Sequence, residues 1–152
     1  MAVVNVKVKH IRPQYNDLRQ WMNDQNNVYI GRRGVVFVTD SAGNKVRWPQ
    51  HDSPFANPFT IKEEAMRIVK INFPDALDDS NAVKQLMVRT DVQQLARANV
   101  LVRYEDYIIQ RLNSDPGLYS QFVALKGKTL GCWCSPEPCH GDILLRLLTT
   151  VR

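Results

Sequence analysis

Residues Val3–Lys9 (VVNVKVK) alternate apolar and polar side chains with period two, which places Val4, Val6 and Val8 on one face and predicts a strand. Ile11–Pro13 ends it. Tyr15–Asn23 sets Leu18 and Met22 one helical turn apart with Trp21 beside them, so a short helix is expected. Val28–Gly31 (VYIG) is a short apolar run stopped by glycine and predicts a buried strand. Val35–Thr39 (VVFVT) is β-branched and aromatic. The loop Asp40–Asn44 and the segment Lys45–Trp48 follow it, a hairpin pattern with glycine in the turn.

Trp48–Phe59 holds three prolines and no periodicity, and reads as a structured loop. Thr60-Ile61-Lys62-Glu63 matches a capping box, predicting a helix from Ile61 to about Asn72 with Ala65, Ile68 and Val69 inward. Phe73-Pro74-Asp75 breaks it. From Ser80 to about Asn113, Leu86, Met87, Leu95, Val100, Leu101, Tyr104, Ile108 and Leu112 recur near helical spacing, which predicts two helices. Asp115-Pro116-Gly117 is a turn, and Tyr119–Leu125 one or two helical turns. Lys126–Cys134 (KGKTLGCWC) predicts a strand. Cys139–Thr149 predicts a last helix with Ile143, Leu144, Leu147 and Leu148 as its core stripe. This order implies one α/β domain over residues 1–152. Its sheet is partly parallel, flanked by helices and Rossmann-like, with a β-hairpin insertion.

At 152 residues the chain can bury one core without staples. No apolar run approaches the ~20 residues that cross a bilayer, so no membrane partner is expected. The first ten residues lack a signal-peptide apolar region, which predicts a cytoplasmic protein, in a bacterial cell or a phage-infected host. The formal charge of +5 favours an anionic partner, a small molecule or nucleic acid. All three cysteines fall between positions 132 and 139, and in a reducing compartment such a cluster points to metal binding or catalysis.

The segment Gly131–Asp142 (GCWCSPEPCHGD) carries the main chemistry. It joins a strand to a helix, and ligands of open α/β sheets collect beyond strand carboxyl ends beside helix N-termini. Alternation puts Cys132 and Cys134 on one face and Trp133 on the other, and Pro136 and Pro138 stiffen the turn. Cys139 and His140 open the helix, whose dipole is expected to lower the Cys139 pKa. Three readings stand. In the first, His140 is a general acid/base and Cys139 or Cys134 a nucleophile or ligand contact. In the second, Cys132, Cys134, Cys139 and His140 hold zinc, at a spacing tighter than usual zinc motifs. In the third, the cysteines are small buried hydrophobes and His140 a cap. Gly141 gives a ligand close access to the backbone, and Asp142 suits the first helical turn as a charge.

Two further stretches carry candidate contacts. Gly31 and Arg32 end the Tyr29–Arg32 strand (YIGR) and offer a guanidinium to phosphate or carboxylate. Asn57, Pro58 and Phe59 precede a helix start. Asn57 can cap that helix or bind a base, sugar or amide, while of Phe55 and Phe59 one is expected in the core. His10 and His51 read as surface residues. No Walker A, GxGxxG, HExxH or Ser-His-Asp order is present.

Together YIGR, NPF and LGCWCSPEPCHGDIL resemble the domain of unknown function 4326, a family of bacterial and phage proteins, across about Val3 to Leu148. The resemblance implies signature positions at Gly31, Arg32, Asn57, Pro58, Phe59, Cys132, Trp133, Cys134, Pro136, Cys139, His140 and Gly141; it implies no activity. Two classes of function follow. One is an enzyme, a hydrolase or transferase acting on a nucleotide, nucleoside or nucleic-acid base. The other is a non-enzymatic, zinc-stabilised module that contacts nucleic acid or a protein.

Overall fold

A computed structural model describes residues 2–134 and 138–151. Ser135, Pro136 and Glu137 lie outside it, and with them the expected stiffening by Pro136. Five strands and seven α-helices are present among the described residues. The chain divides into two compact units: residues 1–57 with 108–152, and residues 58–107.

The first unit is built on three parallel strands, β1 (Ala2–Asn5), β2 (Asn27–Tyr29) and β5 (Thr129–Cys132), in the order β1-β5-β2. This confirms a partly parallel sheet in a mixed α/β protein. β5 is central, so Leu130, Gly131 and Cys132 are buried on both sides, as parallel strands require. The first strand is shorter than its alternation predicts. Asn5 ends it: its Oδ1 accepts the Lys7 N–H at 2.9 Å, and its Nδ2 donates to the Trp133 carbonyl at 3.3 Å. The Val6 N–H still donates to the Cys132 carbonyl at 3.0 Å, and the Lys7 N–H turns to the Asn5 side chain. Val8 then opens a single helical turn, α1 (Val8–Ile11), instead of continuing the strand.

Helix α2 (Leu18–Asn23) starts at Asp17, whose carboxylate accepts the Gln20 N–H, and buries Leu18 and Trp21. β3 (Val36–Thr39) and β4 (Lys45–Trp48) form the expected hairpin, as a separate antiparallel pair. Its turn is closed by the Asp40 carboxylate, which accepts the Ala42 and Asn44 N–H groups, and by Gly43 at φ +84°, where a side chain is strained. Helices α6 (Pro116–Val123) and α7 (His140–Leu148) complete this unit. α6 begins at Pro116, three residues ahead of its expected start, because the Asp115 carboxylate accepts the Leu118 N–H and Pro116 takes the first helical position.

The second unit contains α3 (Ile61–Asn72), capped by Thr60 Oγ1 accepting the Glu63 N–H at 3.1 Å, and α4 (Ser80–Met87). It also holds α5 (Thr90–Ser114) up to Tyr107. Its core is Ala65, Ile68, Val69, Val83, Val92 and Ala96. The inward residues of α5 fall four apart, at Val92, Ala96, Val100 and Tyr104, so Leu95 is left 48% exposed, against expectation. No described helix is long and apolar enough to cross a membrane.

Candidate metal centre and ligand site

β5 delivers Cys132 to the carboxyl end of the parallel sheet, and α7 begins at its N-cap, Cys139. Three sulfurs meet there. Cys139 Sγ lies 2.9 Å from Cys132 Sγ, and Cys134 Sγ lies 3.8 Å from it. All three thiols fall within 4.8 Å of one another. Cys132 and Cys139 are buried and Cys134 is partly exposed; none is in a disulfide. Two sulfurs bound to one tetrahedral zinc at ~2.3 Å stand about 3.8 Å apart; the Cys132–Cys134 pair has that spacing, and Cys139 lies closer to Cys132 and would move outward by about 1 Å on such an ion. His140 is not in that mutual group.

The Cys139 pKa departs from expectation. A hydrogen bond shared with Cys132, then one with Cys134, then burial push it up, overriding the helix dipole that was expected to lower it. Each additional thiolate would be a like charge beside its neighbours in a desolvated pocket. Cys134 is likewise raised to about 11, chiefly by Cys132.

His140 is 8% exposed. Its Nε2 lies 2.7 Å from the Ile30 carbonyl and its Nδ1 3.5 Å from Cys139 Sγ. A carbonyl only accepts, so Nε2 carries the proton and Nδ1 of the neutral ring turns its lone pair toward the sulfur. Burial lowers the His140 pKa most; the nearby Arg32 charge lowers it further, while the Ile30 bond acts in the opposite direction.

Asp142 closes a capping box: its Oδ2 accepts the Cys139 N–H at 3.0 Å, and Cys139 Sγ accepts the Gly141 N–H at 3.4 Å. Gly141 is buried, and a Cβ there would meet Val3 Cγ1 and Ile30 Cδ1 at 2.9 Å. It lets α7 pack closely against Val3 and Ile30.

The YIGR stretch touches both other motifs inside the first unit. Ile30 meets His140. The Tyr29 hydroxyl accepts from Trp133 Nε1 and donates to the Arg32 carbonyl, both at 2.8 Å. Burial first raises the Tyr29 pKa to about 12. The Tyr29 ring folds over Gly31, where a Cβ would lie 2.5 Å from Tyr29 Cζ. Arg32 is exposed, and its Nε donates to the Asn57 carbonyl at 2.8 Å. Pro58 and Phe59 belong to the second unit, where Phe59 meets the Tyr107 ring edge-on at 5.9 Å and the Arg103 guanidinium lies 4.8 Å from its centre. Phe55 is the core member of the pair, at 3% exposure. His10 and His51 are exposed.

Two residues of structural weight are not marked by the sequence pattern. Along the chain Tyr29 is one residue of a short strand, yet its hydroxyl ties two motifs together. Glu64 is a buried carboxylate that accepts from Arg67 (3.2 Å), Asn99 (3.2 Å) and Arg103 (3.0 Å). Its signal is position: it lies on the same helical face as Ile61, Ala65 and Ile68.

The chain belongs to the family described as Domain of unknown function (DUF4326), whose model matches residues 14–150. It is similar to an uncharacterized 12.4 kDa protein in the nrdA-td intergenic region of Enterobacteria phage T4, 32% identical over 53 residues. That match covers 35% of this chain and 49% of the phage protein, so the chain spans about half of that relative's length. No solved structure matches.

Proposed function

We propose that this protein is a metal-braced binding module in which Cys132, Cys134 and Cys139 hold one zinc ion as thiolates. The metal ties the end of β5 to the start of α7 at the carboxyl end of the parallel strands. Arg32 and Asn57 flank that end and present a guanidinium and a polar side chain to an anionic ligand of the nucleotide or nucleic-acid class. The convergence of three thiols within 4.8 Å, in a chain with no other cysteine, carries this reading. Burial of Cys139 to 2% exposure supports it, because its sulfur faces Cys132 rather than solvent.

Metal analysis of untagged protein expressed with zinc is the direct test. About one zinc per chain is expected, lost in Cys132→Ser and Cys139→Ser variants, and a strong chelator should lower the thermal midpoint. Protein that carries no zinc, and takes up no cobalt(II) with thiolate charge-transfer absorption, refutes the reading.

One observation favours a second reading, an enzyme of nucleotides or nucleosides acting at a Rossmann-like strand end in the cytoplasm. His140 Nδ1 faces Cys139 Sγ while Nε2 is anchored on Ile30, the arrangement of a base oriented beside a nucleophile. Calorimetric titration with nucleoside mono- and triphosphates addresses it. Arg32→Gln should weaken binding about tenfold, through removal of one charge-assisted phosphate bond of ~1.4 kcal/mol. Equal binding by both proteins removes Arg32 from the site.

A further inference from the structure

The charge of the chain is unevenly placed. Residues 1–57 and 108–152 carry 13 Lys and Arg against seven Asp and Glu, whereas residues 58–107 carry seven against eight. The whole positive excess therefore resides in the first unit.

Within that unit, the β3–β4 hairpin is not part of the parallel sheet. Its two faces differ. Val36, Val38, Val46 and Trp48 turn inward, and Val36 and Trp48 pack against the core that holds Trp21 and Tyr29. Phe37, Thr39, Lys45 and Arg47 turn outward; the register pairs Phe37 with Arg47 and Thr39 with Lys45. Phe37 is 62% exposed, an unusual place for a phenyl ring on a strand with an apolar inner face available. The Arg47 guanidinium lies 4.9 Å from the centre of its ring and is steadied by Nη1 donating to the Gly34 carbonyl at 3.0 Å. Beside this face a concavity of about 290 Å³ is lined by Asp17, Arg19, Phe37, Val38, Thr39 and Lys45. The one carboxylate in it, Asp17, is engaged as the N-cap of α2.

We infer that the outer face of the β3–β4 ribbon binds single-stranded nucleic acid. A base stacks on Phe37, and phosphates pair with Arg47, Lys45 and Arg19. An exposed aromatic ring set among cations supplies the two components of sequence-tolerant single-strand binding, stacking and phosphate neutralisation. The charge of the unit selects a polyanion over a neutral protein surface or a zwitterionic membrane. This inference goes beyond the metal centre and uses none of its residues.

The test is fluorescence anisotropy with a 5′-labelled, mixed-sequence single-stranded 20-mer and its duplex, at 50 and 200 mM salt. The 152-residue chain is used as purified from zinc-supplemented expression. The single strand should bind more tightly than the duplex, and more weakly at higher salt. Phe37→Ala should cost about 5- to 150-fold, corresponding to ~1–3 kcal/mol for one stacked base. Lys45→Gln with Arg47→Gln should flatten the salt slope by about 1.4, at ~0.7 for each phosphate left unneutralised on a single strand. Lys7→Gln with Lys9→Gln removes two exposed charges of the same unit that are not part of the ribbon and should leave the Phe37 effect intact. Circular dichroism melts confirm folding, and all substituted side chains are exposed.

Absence of oligonucleotide binding at 50 mM salt overturns the inference. So does a Phe37→Ala variant within twofold of the parent, a preference for duplex, or a Lys7/Lys9 effect as large as that of Lys45/Arg47. Zinc content measured on the same samples keeps the two proposals apart. Loaded protein that ignores nucleic acid sinks only the ribbon, and zinc-free protein that binds it sinks only the metal centre.

Discussion

Replacing His140 by alanine should destabilise the fold by about 3–5 kcal/mol. The residue is only 8% exposed. Its Nε2–H satisfies the Ile30 carbonyl at 2.7 Å, on a residue with no exposed surface. Losing the donor leaves a buried acceptor without that partner, which costs ~1–3 kcal/mol. Loss of ring packing, with partial collapse of the space, adds about 2 kcal/mol, at the lower end for large-to-small core changes. Against a total stability of ~5–15 kcal/mol, this is a large fraction. Urea unfolding followed by circular dichroism measures it, with zinc content recorded in parallel. The thermal midpoint should fall by roughly 6–20 °C, at ~2–4 °C per kcal/mol for a chain of this size. His140→Gln can place an amide N–H near the former Nε2 and should restore part of the stability. A His140→Ala protein within about 0.5 kcal/mol of the parent, the range of ordinary surface changes, would show that the Ile30 carbonyl does not depend on the imidazole. The same calculation means that substituting Cys139 and His140 together cannot isolate ligand binding, because the pair is part of the core.

Gly131→Ala should cost about 1–3 kcal/mol of overpacking, because its Cβ would collide with the Trp21 ring and approach Val6 Cγ1 to 2.6 Å; a thermal melt reads the change, and an unchanged midpoint would contradict the packing. Glu64→Ala should cost about 1–3 kcal/mol through the lost hydrogen bonds to its carboxylate, since Arg67 and Arg103 are half exposed and regain water; equal stability by urea titration would count against a stabilising role for this carboxylate. In an alkaline titration followed by tyrosinate absorbance, one tyrosine should ionise near pH 12 and disappear in Tyr29→Phe. The sign follows from the raised folded-state value: the unfolded chain loses this proton first, from about pH 10, so this residue's contribution to stability falls as pH rises from about 10 to 12.

The periodic segments are legible along the chain because their signals are local. The Thr60 cap fixes the start of α3, Phe73-Pro74 its end, and the Asp40–Asn44 turn the register of the hairpin. The alternation of Val3–Lys9 misleads beyond Val6: that residue still bonds the Cys132 carbonyl, but the Lys7 N–H bonds the Asn5 side chain and Val8 opens a helical turn, outcomes that alternation does not encode. Gly141 and Gly131 are visible as glycines, but whether each faces a ligand or another side chain depends on Val3, Ile30, Val6 and Trp21, which come from distant segments.

Residue order alone marks Cys132 through His140 as the chemical centre and joins it with YIGR and NPF in one family pattern. It cannot show that the three sulfurs face one another, that the dipole at Cys139 loses to its neighbours, or that His140 spends its proton on Ile30. Those outcomes depend on distances between atoms up to 110 residues apart in sequence, set when β5 is threaded between β1 and β2. Local patterns report what a backbone segment prefers by itself. Desolvation, thiol-to-thiol contact and the partner of a buried imidazole exist only after the chain has closed around them.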